Sequence, residues 1–239
     1  YYKLTNDIYV NDVNAVDWKT GTVNEGYAPE QWFVSKDQAG LGYIGYLGNT
    51  QQFNGHIDGN GYAVHGIYYR PLSGYDAEKY GTYTTGAGLV PTFSSGSVSD
   101  LTIKNSYISS GRFVGAISAV TTAQVLITNV LVDGSASVYG GNSGSYGSSA
   151  AGGFIGYIQG KSNTTLTNCG FAGSIKKTGG GHYWGLIGTS YNSKFTLNGC
   201  FSVGRAPLCS SSKGVHGNGR NFALSNVYST VAPSEWNTD

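Results

Sequence analysis

Tyrosines in polar, glycine-rich stretches are the residues of this sequence whose types and spacing could bind a ligand. Tyrosine occupies 19 of the 239 positions, while charged residues make up only 11%, against roughly 25% in an average domain. An aromatic face can stack on the apolar face of a sugar ring, and the tyrosine hydroxyl adds a hydrogen bond. The candidate ligand-binding residues, including two polar contacts, are Arg70, Tyr75, Tyr80, Tyr83, Tyr139, Tyr146, His182 and Tyr183.

Carboxylates are the other chemically informative group, because hydrolysis of a glycosidic bond usually needs two of them, about 5–9.5 Å apart. No Asp or Glu lies between Asp133 and Glu235, so this part of the chain cannot supply such a pair. Asp76 and Glu78 are close in sequence and could bind Ca²⁺ or sugar hydroxyls, but no Ca²⁺ site and no other cofactor is predicted. The sequence favours a protein without catalytic residues, with a polysaccharide lyase or glycoside hydrolase as an alternative.

Charge, hydropathy and cysteine content argue against several classes of protein. A net charge of +1 is unlike a nucleic-acid surface, which needs concentrated positive charge, and no run of about 18 apolar residues could span a membrane. Three cysteines do not make a disulfide framework. We expect Cys169 and Cys200 to be buried apolar residues, with a Cys200–Cys209 disulfide as the alternative. The lack of Met indicates a piece of a longer protein.

The elements that must position the tyrosines form a repeat of two short strands. Its openings, rich in Gly, Phe and Ile, are residues 88–90, 113–117, 154–158 and 185–188. The second strand of each unit ends in Asn, at Asn105, Asn129, Asn168, Asn198 and Asn226. Asn accepts the left-handed conformation of a tight turn, and stacked Asn side chains can form a ladder. Asn198 follows Thr196 where other units have Ile or Leu, so that unit is expected to shift by one residue.

A recurring two-strand unit predicts an all-β fold, a right-handed parallel β-helix. A β-sandwich is the alternative, with strands at regular 8–12-residue spacing, but it does not explain why one unit recurs. We expect a single β-helix domain over residues 1–239, with an N-terminal capping segment at 1–52, coils at 53–230 and a C-terminal tail at 231–239. Within the cap, residues 4–10 predict a strand, and Trp18 and Trp32 are expected to be packed.

Long insertions fall between the second strand of one unit and the opening of the next. They are residues 69–86, 134–152, 176–183 and 205–220. Equivalent points of stacked coils lie about 4.8 Å apart, so the insertions are expected to emerge on one side of the helix. In repeat proteins, insertions gathered on one face often form the binding surface, and the first three of these carry the candidate residues.

The openings, the Asn-ended second strands and the segment Asp58-Gly59-Asn60-Gly61-Tyr62 resemble the GLUG-motif repeats of secreted bacterial surface proteins. The likeness covers roughly residues 53–230. It implies a β-helix that is secreted or displayed on a bacterial cell surface. It also implies a non-catalytic module tethered within a larger adhesin or cellulosome-associated protein.

The expected function is a non-catalytic carbohydrate-binding or adhesion module that recognises a plant-type polysaccharide, with cellulose as the first candidate. A structural or protein-binding adhesin solenoid is the first alternative, and a polysaccharide-degrading enzyme is the second. Ice or mineral binding would need flat ranks of Thr-x-Thr over many coils. The segment Thr165-Leu166-Thr167 is one instance, without regular repetition along the sequence.

Overall fold

The computed structural model of the chain describes residues 1–30, 32, 53–70, 86–110, 113–140, 150–177, 182–190, 193–203 and 222–230, with Lys177 and His182 described by their backbone alone. The protein is all-β in these ranges, as the sequence predicts, and they contain no helix. Nothing in these ranges is therefore a helix long and apolar enough to cross a membrane.

Four strands precede the repeating part of the chain. They are β1 (Tyr2–Lys3), β2 (Ile8–Tyr9), β3 (Val16–Asp17) and β4 (Thr22–Val23). The first repeat segment contains β5 (Phe53–Asp58), β6 (Ala63–His65) and β7 (Tyr68–Tyr69). The second contains β8 (Gly86–Ala87), β9 (Val90–Ser99), β10 (Thr102–Lys104) and β11 (Tyr107–Ser110).

The later segments repeat this order with shorter strands. The third contains β12 (Phe113–Gly115), β13 (Ser118–Thr121), β14 (Gln124–Thr128), β15 (Leu131–Val132) and β16 (Ser137–Gly140). The fourth contains β17 (Ala150–Gly152), β18 (Ile155–Ile158), β19 (Asn163–Thr167), β20 (Gly170–Phe171) and β21 (Ser174–Lys177). The last two contain β22 (His182–Trp184), β23 (Ile187–Ser190), β24 (Lys194–Asn198) and β25 (Phe201–Ser202), then β26 (Phe222–Ser225) and β27 (Tyr228–Ser229).

Each strand of a segment pairs in parallel with the equivalent strand of the next segment. Leu126 of β14, for example, lies opposite Thr165 of β19, which lies opposite Thr196 of β24. Four parallel sheets result. The ten-stranded sheet has the order β23-β18-β13-β9-β14-β19-β24-β26, with β5 beside β9 and β1 beside β5. The others are a seven-stranded sheet (β2-β6-β10-β15-β20-β25-β27), the tyrosine sheet (β21-β16-β11-β7) and a short-strand sheet (β22-β17-β12-β8).

Alternation of side chains explains how these sheets enclose a core. In β14, Val125 and Ile127 are buried, while Gln124 and Leu126 face outward. The inward residues of all four sheets meet in one apolar cluster. Burying a side chain of this size contributes roughly 1.5–3 kcal/mol, so the sheets curl around the shared cluster instead of lying flat. Among the described strands, only β3 and β4 pair antiparallel.

A column of left-handed residues marks the turn at the end of β9, β14, β19, β24 and β26. Its members are Asp100, Asn129, Asn168, Gly199 and Asn226. The predicted side-chain ladder forms in part of this column. The Nδ2 of Asn129 donates to Oδ1 of Asp100 at 2.9 Å, and the Nδ2 of Asn168 donates to Oδ1 of Asn129 at 3.3 Å.

Two of the five Asn residues differ from their expected places in this column. Asn105 follows β10 and not β9, so it belongs to the next turn along the chain, and Asp100 takes its place. The one-residue shift at Asn198 is confirmed, because Gly199 adopts the positive φ, at 63°. A side chain at Gly199 would place its Cβ 2.5 Å from Oδ1 of Asn168. Gly199 therefore keeps the left-handed turn conformation, but it has no side chain with which to extend the ladder.

The opening at residues 113–117 is also in a different register from the one predicted. Ser118 of β13 pairs with Val90 on one side and Ile155 on the other, so Ile117 and not Phe113 is the equivalent of Phe154. The Phe113 ring instead stacks on Tyr157, with centroids 4.7 Å apart. A short apolar motif fits both alignments, and only the backbone pairing selects one.

The N-terminal residues extend the same parallel pairing, with β1 beside β5 and β2 beside β6. The single strand predicted at residues 4–10 is wrong in detail, because a bend separates β1 from β2. Oδ1 of Asp7 accepts a hydrogen bond from the Ala63 amide at 2.8 Å and holds the bend in place. Trp18 and Trp32 are buried, as expected.

The two described cysteines occupy equivalent inward positions, since their neighbours Gly170 and Phe201 pair in β20 and β25. Cys169 and Cys200 are both buried, as predicted, and neither forms a disulfide. Cys209, the alternative partner of Cys200, lies outside the described residues. The adjacent Cys200 thiol and burial raise the pKa of Cys169, which favours its neutral thiol form.

Candidate functional site

The outward side of the tyrosine sheet carries three aromatic rings, one from each of three successive strands. Tyr107 of β11 lies opposite Tyr68 of β7, and their ring centroids are 6.2 Å apart. The Tyr139 ring of β16 stacks on the other side of Tyr107, again with a centroid distance of 6.2 Å and an interplanar angle of 28°. Offset stacking at this distance holds the rings in a fixed orientation.

The β3–β4 hairpin covers the first two rings. Ala15, Val16 and Trp18 form an apolar cluster with Tyr68 and Tyr107. Gly21 lies directly against the Tyr107 ring, where an added Cβ would come within 2.5 Å of two ring carbons. The carbonyl oxygen of Gly21 accepts a hydrogen bond from the Tyr68 hydroxyl at 3.3 Å. The hairpin therefore closes this end of the tyrosine sheet.

Burial changes the acidity of the two covered tyrosines. Removal from water disfavours the charged phenolate, and this raises the pKa of both Tyr68 and Tyr107 above the ordinary value of 10.0. The charge of Arg70 opposes the shift at each ring but is the smaller influence. These two rings therefore remain neutral and act as packing groups.

Tyr139 is the member of the column that the hairpin leaves half-exposed. It packs against the edge of the hairpin cluster and lies between Ser109 of β11 and Lys176 of β21. Arg70 follows β7 directly, next to the strand that carries Ser109, and its Nη1 donates to the Gly21 carbonyl at 3.2 Å. An aromatic ring flanked by exposed cationic side chains is an arrangement that can bind a polar ligand with one apolar face.

Ser137 adds a polar group beside these rings. It lies opposite Tyr107 in the parallel pairing. Its hydroxyl oxygen is buried and has no hydrogen-bond partner in the described part of the chain.

Three of the four predicted insertions leave from the ends of strands in the tyrosine sheet, of which β16 and β21 are neighbours. The described chain stops after β7, β16 and β21, and resumes at β8, β17 and β22 of the short-strand sheet. The fourth differs, because it leaves from β25 of the seven-stranded sheet and returns at β26. Insertions 134–152 and 176–183 are shorter than predicted, because strands occupy both of their ends.

The predicted site residues fall into three groups. Arg70 follows β7 and Tyr139 lies in β16, with β11 between them, and Tyr139 lies in a strand and not in a loop. Tyr183 lies in β22 opposite Ala151 and packs half-buried against the main core, and only the backbone of His182 is described, opposite Ala150. Tyr75, Tyr80, Tyr83 and Tyr146 lie outside the described residues.

Sequence reasoning missed the two covered tyrosines and the hairpin that covers them. A signal for Tyr68 and Tyr107 does exist, because each lies two residues after a left-handed residue, Gly66 or Asn105. This places them at equivalent points of successive segments. No comparable signal identifies Trp18 as their partner, since the contact joins distant parts of the chain.

In the described ranges, no three His, Cys, Asp or Glu side chains are close enough to hold a metal ion. Asp76 and Glu78 lie outside those ranges. The described arrangement supports binding through aromatic, hydroxyl and cationic groups.

No protein-family model matches this chain, and neither the curated proteins nor the solved structures contain a match.

Proposed function

We propose that this protein is a non-catalytic carbohydrate-binding module that recognises a plant-type polysaccharide, with cellulose as the first candidate ligand. The observation that carries the proposal is the half-exposed Tyr139 ring, which Tyr107 holds in place and which lies in one column with Ser109 and Lys176. A sugar ring has one apolar face and a rim of hydroxyls. The tyrosine ring would stack on the apolar face of the sugar, and the neighbouring polar groups would form hydrogen bonds with its hydroxyls.

The proposal includes a right-handed parallel β-helix as the architecture. It is supported by strand-for-strand parallel pairing between successive segments and by a core shared among four sheets. In such a fold, the three connections that leave the tyrosine sheet would lie side by side. They carry Tyr75, Tyr80, Tyr83 and Tyr146, which would extend the surface that begins at Tyr139.

The cellular setting is proposed from the resemblance to GLUG-motif repeats. The module would be secreted, or displayed on a bacterial surface, as a tethered part of a larger protein. Weak binding by each module is compatible with this setting, because linked modules gain avidity from their effective concentration.

The test is retention of the protein on insoluble cellulose and on gels that contain soluble plant glucans and mannans. Replacement of Tyr139 by Ala removes one stacking contact worth about 0.5–1.5 kcal/mol, so affinity should fall by roughly three- to tenfold. The matched control is Tyr228→Ala, which removes a tyrosine that is 69% exposed in the seven-stranded sheet. This variant should bind like the parent protein.

Two results would contradict the proposal. The first is a parent protein that none of these glycans retains. The second is an equal loss of affinity in Tyr139→Ala and Tyr228→Ala, which would show that exposed tyrosines act without a specific site. Circular dichroism should confirm that both variants are folded.

A further inference from the structure

The outer face of β14, β19 and β24 is a second surface, on which threonines lie at paired positions of neighbouring strands. Parallel pairing places Thr128 opposite Thr167, and Thr165 opposite Thr196. We call these four residues the threonine strip. Their sequence neighbours differ, and only one pair forms a Thr-x-Thr motif. The regularity therefore comes from the alignment of strands that are distant in sequence.

The threonine strip is available for contact with a ligand. All four threonines are half-exposed, and the inward residues between them are buried. The inward Thr164 hydroxyl is already paired with the Thr121 hydroxyl at 3.1 Å. By contrast, the four hydroxyls of the strip bond to no other residue in the described ranges. Each can still donate one hydrogen bond and accept others.

The backbone beneath the strip is held by the main core below the strands and by the side-chain ladder at their ends. Inward residues of the same strands belong to the main core, and the Asp100–Asn129–Asn168 ladder ties together the turns that follow β9, β14 and β19. A β-branched side chain has few rotamers. The strip is therefore organised before any ligand arrives, which lowers the entropic cost of binding.

The adjacent part of the same sheet is different, because its polar groups are used within the protein. The ring of His56 in β5 bonds to Ser97 of β9 at 2.9 Å. The carboxylate of Asp58 accepts from the Tyr1 hydroxyl at 3.0 Å and pairs with Lys3 at 3.2 Å. In β5 and the neighbouring part of β9, these outward groups therefore bond within the protein, unlike the four threonines of the strip.

Charge and spacing indicate the kind of ligand. Lys194, at the margin, is the one charged residue among the outward positions of these three strands, so an ionic ligand would find few partners. Neighbouring strands are about 4.8 Å apart, a repeat close to the length of one sugar unit in an extended chain. A polymer lying across the strands would meet equivalent hydroxyls at two successive sugars, from Thr128 and Thr167 or from Thr165 and Thr196.

We infer that the threonine strip is a second binding surface of this protein, for an extended, neutral polysaccharide chain at the surface of an insoluble fibre. This inference rests on the proposed carbohydrate-binding function for its ligand class, but it uses a different sheet from Tyr139. The strip supplies hydrogen bonds to hydroxyls in a row, whereas the tyrosine surface supplies stacking to single rings.

The test uses the double variant Thr165→Val/Thr167→Val, with microcrystalline cellulose and soluble cello-oligosaccharides as probes. Valine keeps the branched shape and suits a strand, so the fold should be preserved. Loss of two hydroxyls should weaken adsorption to cellulose by roughly three- to tenfold and leave oligosaccharide binding unchanged. The matched control, Thr102→Val, changes a half-exposed threonine of β10 in the seven-stranded sheet and should have no effect.

The outcomes separate this inference from the proposed function. If the double variant adsorbs to cellulose like Thr102→Val while Tyr139→Ala is impaired, the inference is overturned and the tyrosine surface stands. If the double variant is impaired and Tyr139→Ala is not, the strip stands and the tyrosine surface does not. Adsorption to no glycan, together with shaping of growing ice crystals by the parent protein, would overturn the polysaccharide assignment in favour of ordered water.

Discussion

The tyrosine sheet and the threonine strip have the same parallel backbone pairing but opposite relations to water. On the tyrosine sheet, large outward rings stack on one another, and a hairpin from the N-terminal region covers two of them. On the threonine strip, small outward hydroxyl side chains repeat across three strands without a covering element among the described residues. The same inward core supports both surfaces.

The difference shows that outward residues decide whether a face of this fold becomes a second core or remains a surface. Tyr68 and Tyr107 bury enough apolar area to hold the β3–β4 hairpin, whereas threonine would gain little from being covered. Tyr139 is intermediate between a covered and an exposed side chain, since it packs against Tyr107 on one side and is half-exposed. This intermediate position makes it the strongest candidate for contact with a ligand.

The largest effect should come from Tyr107→Ala. It leaves a cavity between the sheet and the hairpin, so the free energy of unfolding should fall by about 3 kcal/mol. The matched change on the open face, Thr165→Ala, should cost less than about 0.5 kcal/mol. Chemical denaturation of both variants measures the difference. Equal losses would show that the hairpin does not cover the tyrosine sheet in solution.

A smaller effect is expected at the turn beside the threonine strip. Asn129→Ala forces a residue with a β-carbon into a left-handed conformation, at φ 55° in the parent, and should cost about 1–2 kcal/mol. Asn129→Gly tolerates that conformation and loses only the hydrogen bonds to Asp100 and from Asn168. It should therefore be the more stable of the two variants in thermal denaturation. Both variants lose the ladder, so the reverse order would mean that this turn does not need a left-handed residue in solution.

The smallest effect concerns Asp133, in the turn between β15 of the seven-stranded sheet and β16 of the tyrosine sheet. Its carboxylate accepts hydrogen bonds from the Ser135 amide at 2.8 Å and the Ser135 hydroxyl at 2.7 Å. The amide bond is the main reason that its pKa lies below the ordinary 3.8. A lowered pKa means that this stabilisation is present above pH 3.8 and is lost as the pH falls through the folded-state value.

Asp133→Asn tests this contribution, because its side-chain oxygen can still accept from Ser135 but does not titrate. Between pH 4 and pH 2, the parent should lose up to about 1 kcal/mol more stability than the variant. Parallel loss in both proteins would contradict this role of Asp133. The comparison requires urea denaturation at several pH values, so that other carboxylates contribute equally to both proteins.

The described segments show why prediction succeeded for some elements and failed for others. Alternation in stretches such as Gln124–Thr128 predicts a strand correctly, because one face must be buried. Motif alignment failed at Phe113 and at Asn105, since short apolar stretches and Asn occur at several turns. Parallel pairing with distant strands selects the register, and that information is not local.

The candidate site was also predictable only in part. Its tyrosines could be named from composition and from their polar neighbours, and Tyr139 does lie on the outward side of the tyrosine sheet. That Tyr107 supports Tyr139, and that a hairpin around Trp18 closes one end of the sheet, could not be predicted. These contacts join residues that are far apart in the chain.

The sequence by itself determined that the protein is all-β, that its segments repeat, and that Cys169 and Cys200 are buried. Each of these follows from local chemistry, namely side-chain alternation, turn residues and apolar character. Only the tertiary structure decided which outward positions are covered by a hairpin and which hydroxyls fall into one strip. Both depend on strand register, and register is set by hydrogen bonds between segments whose separation in the chain varies.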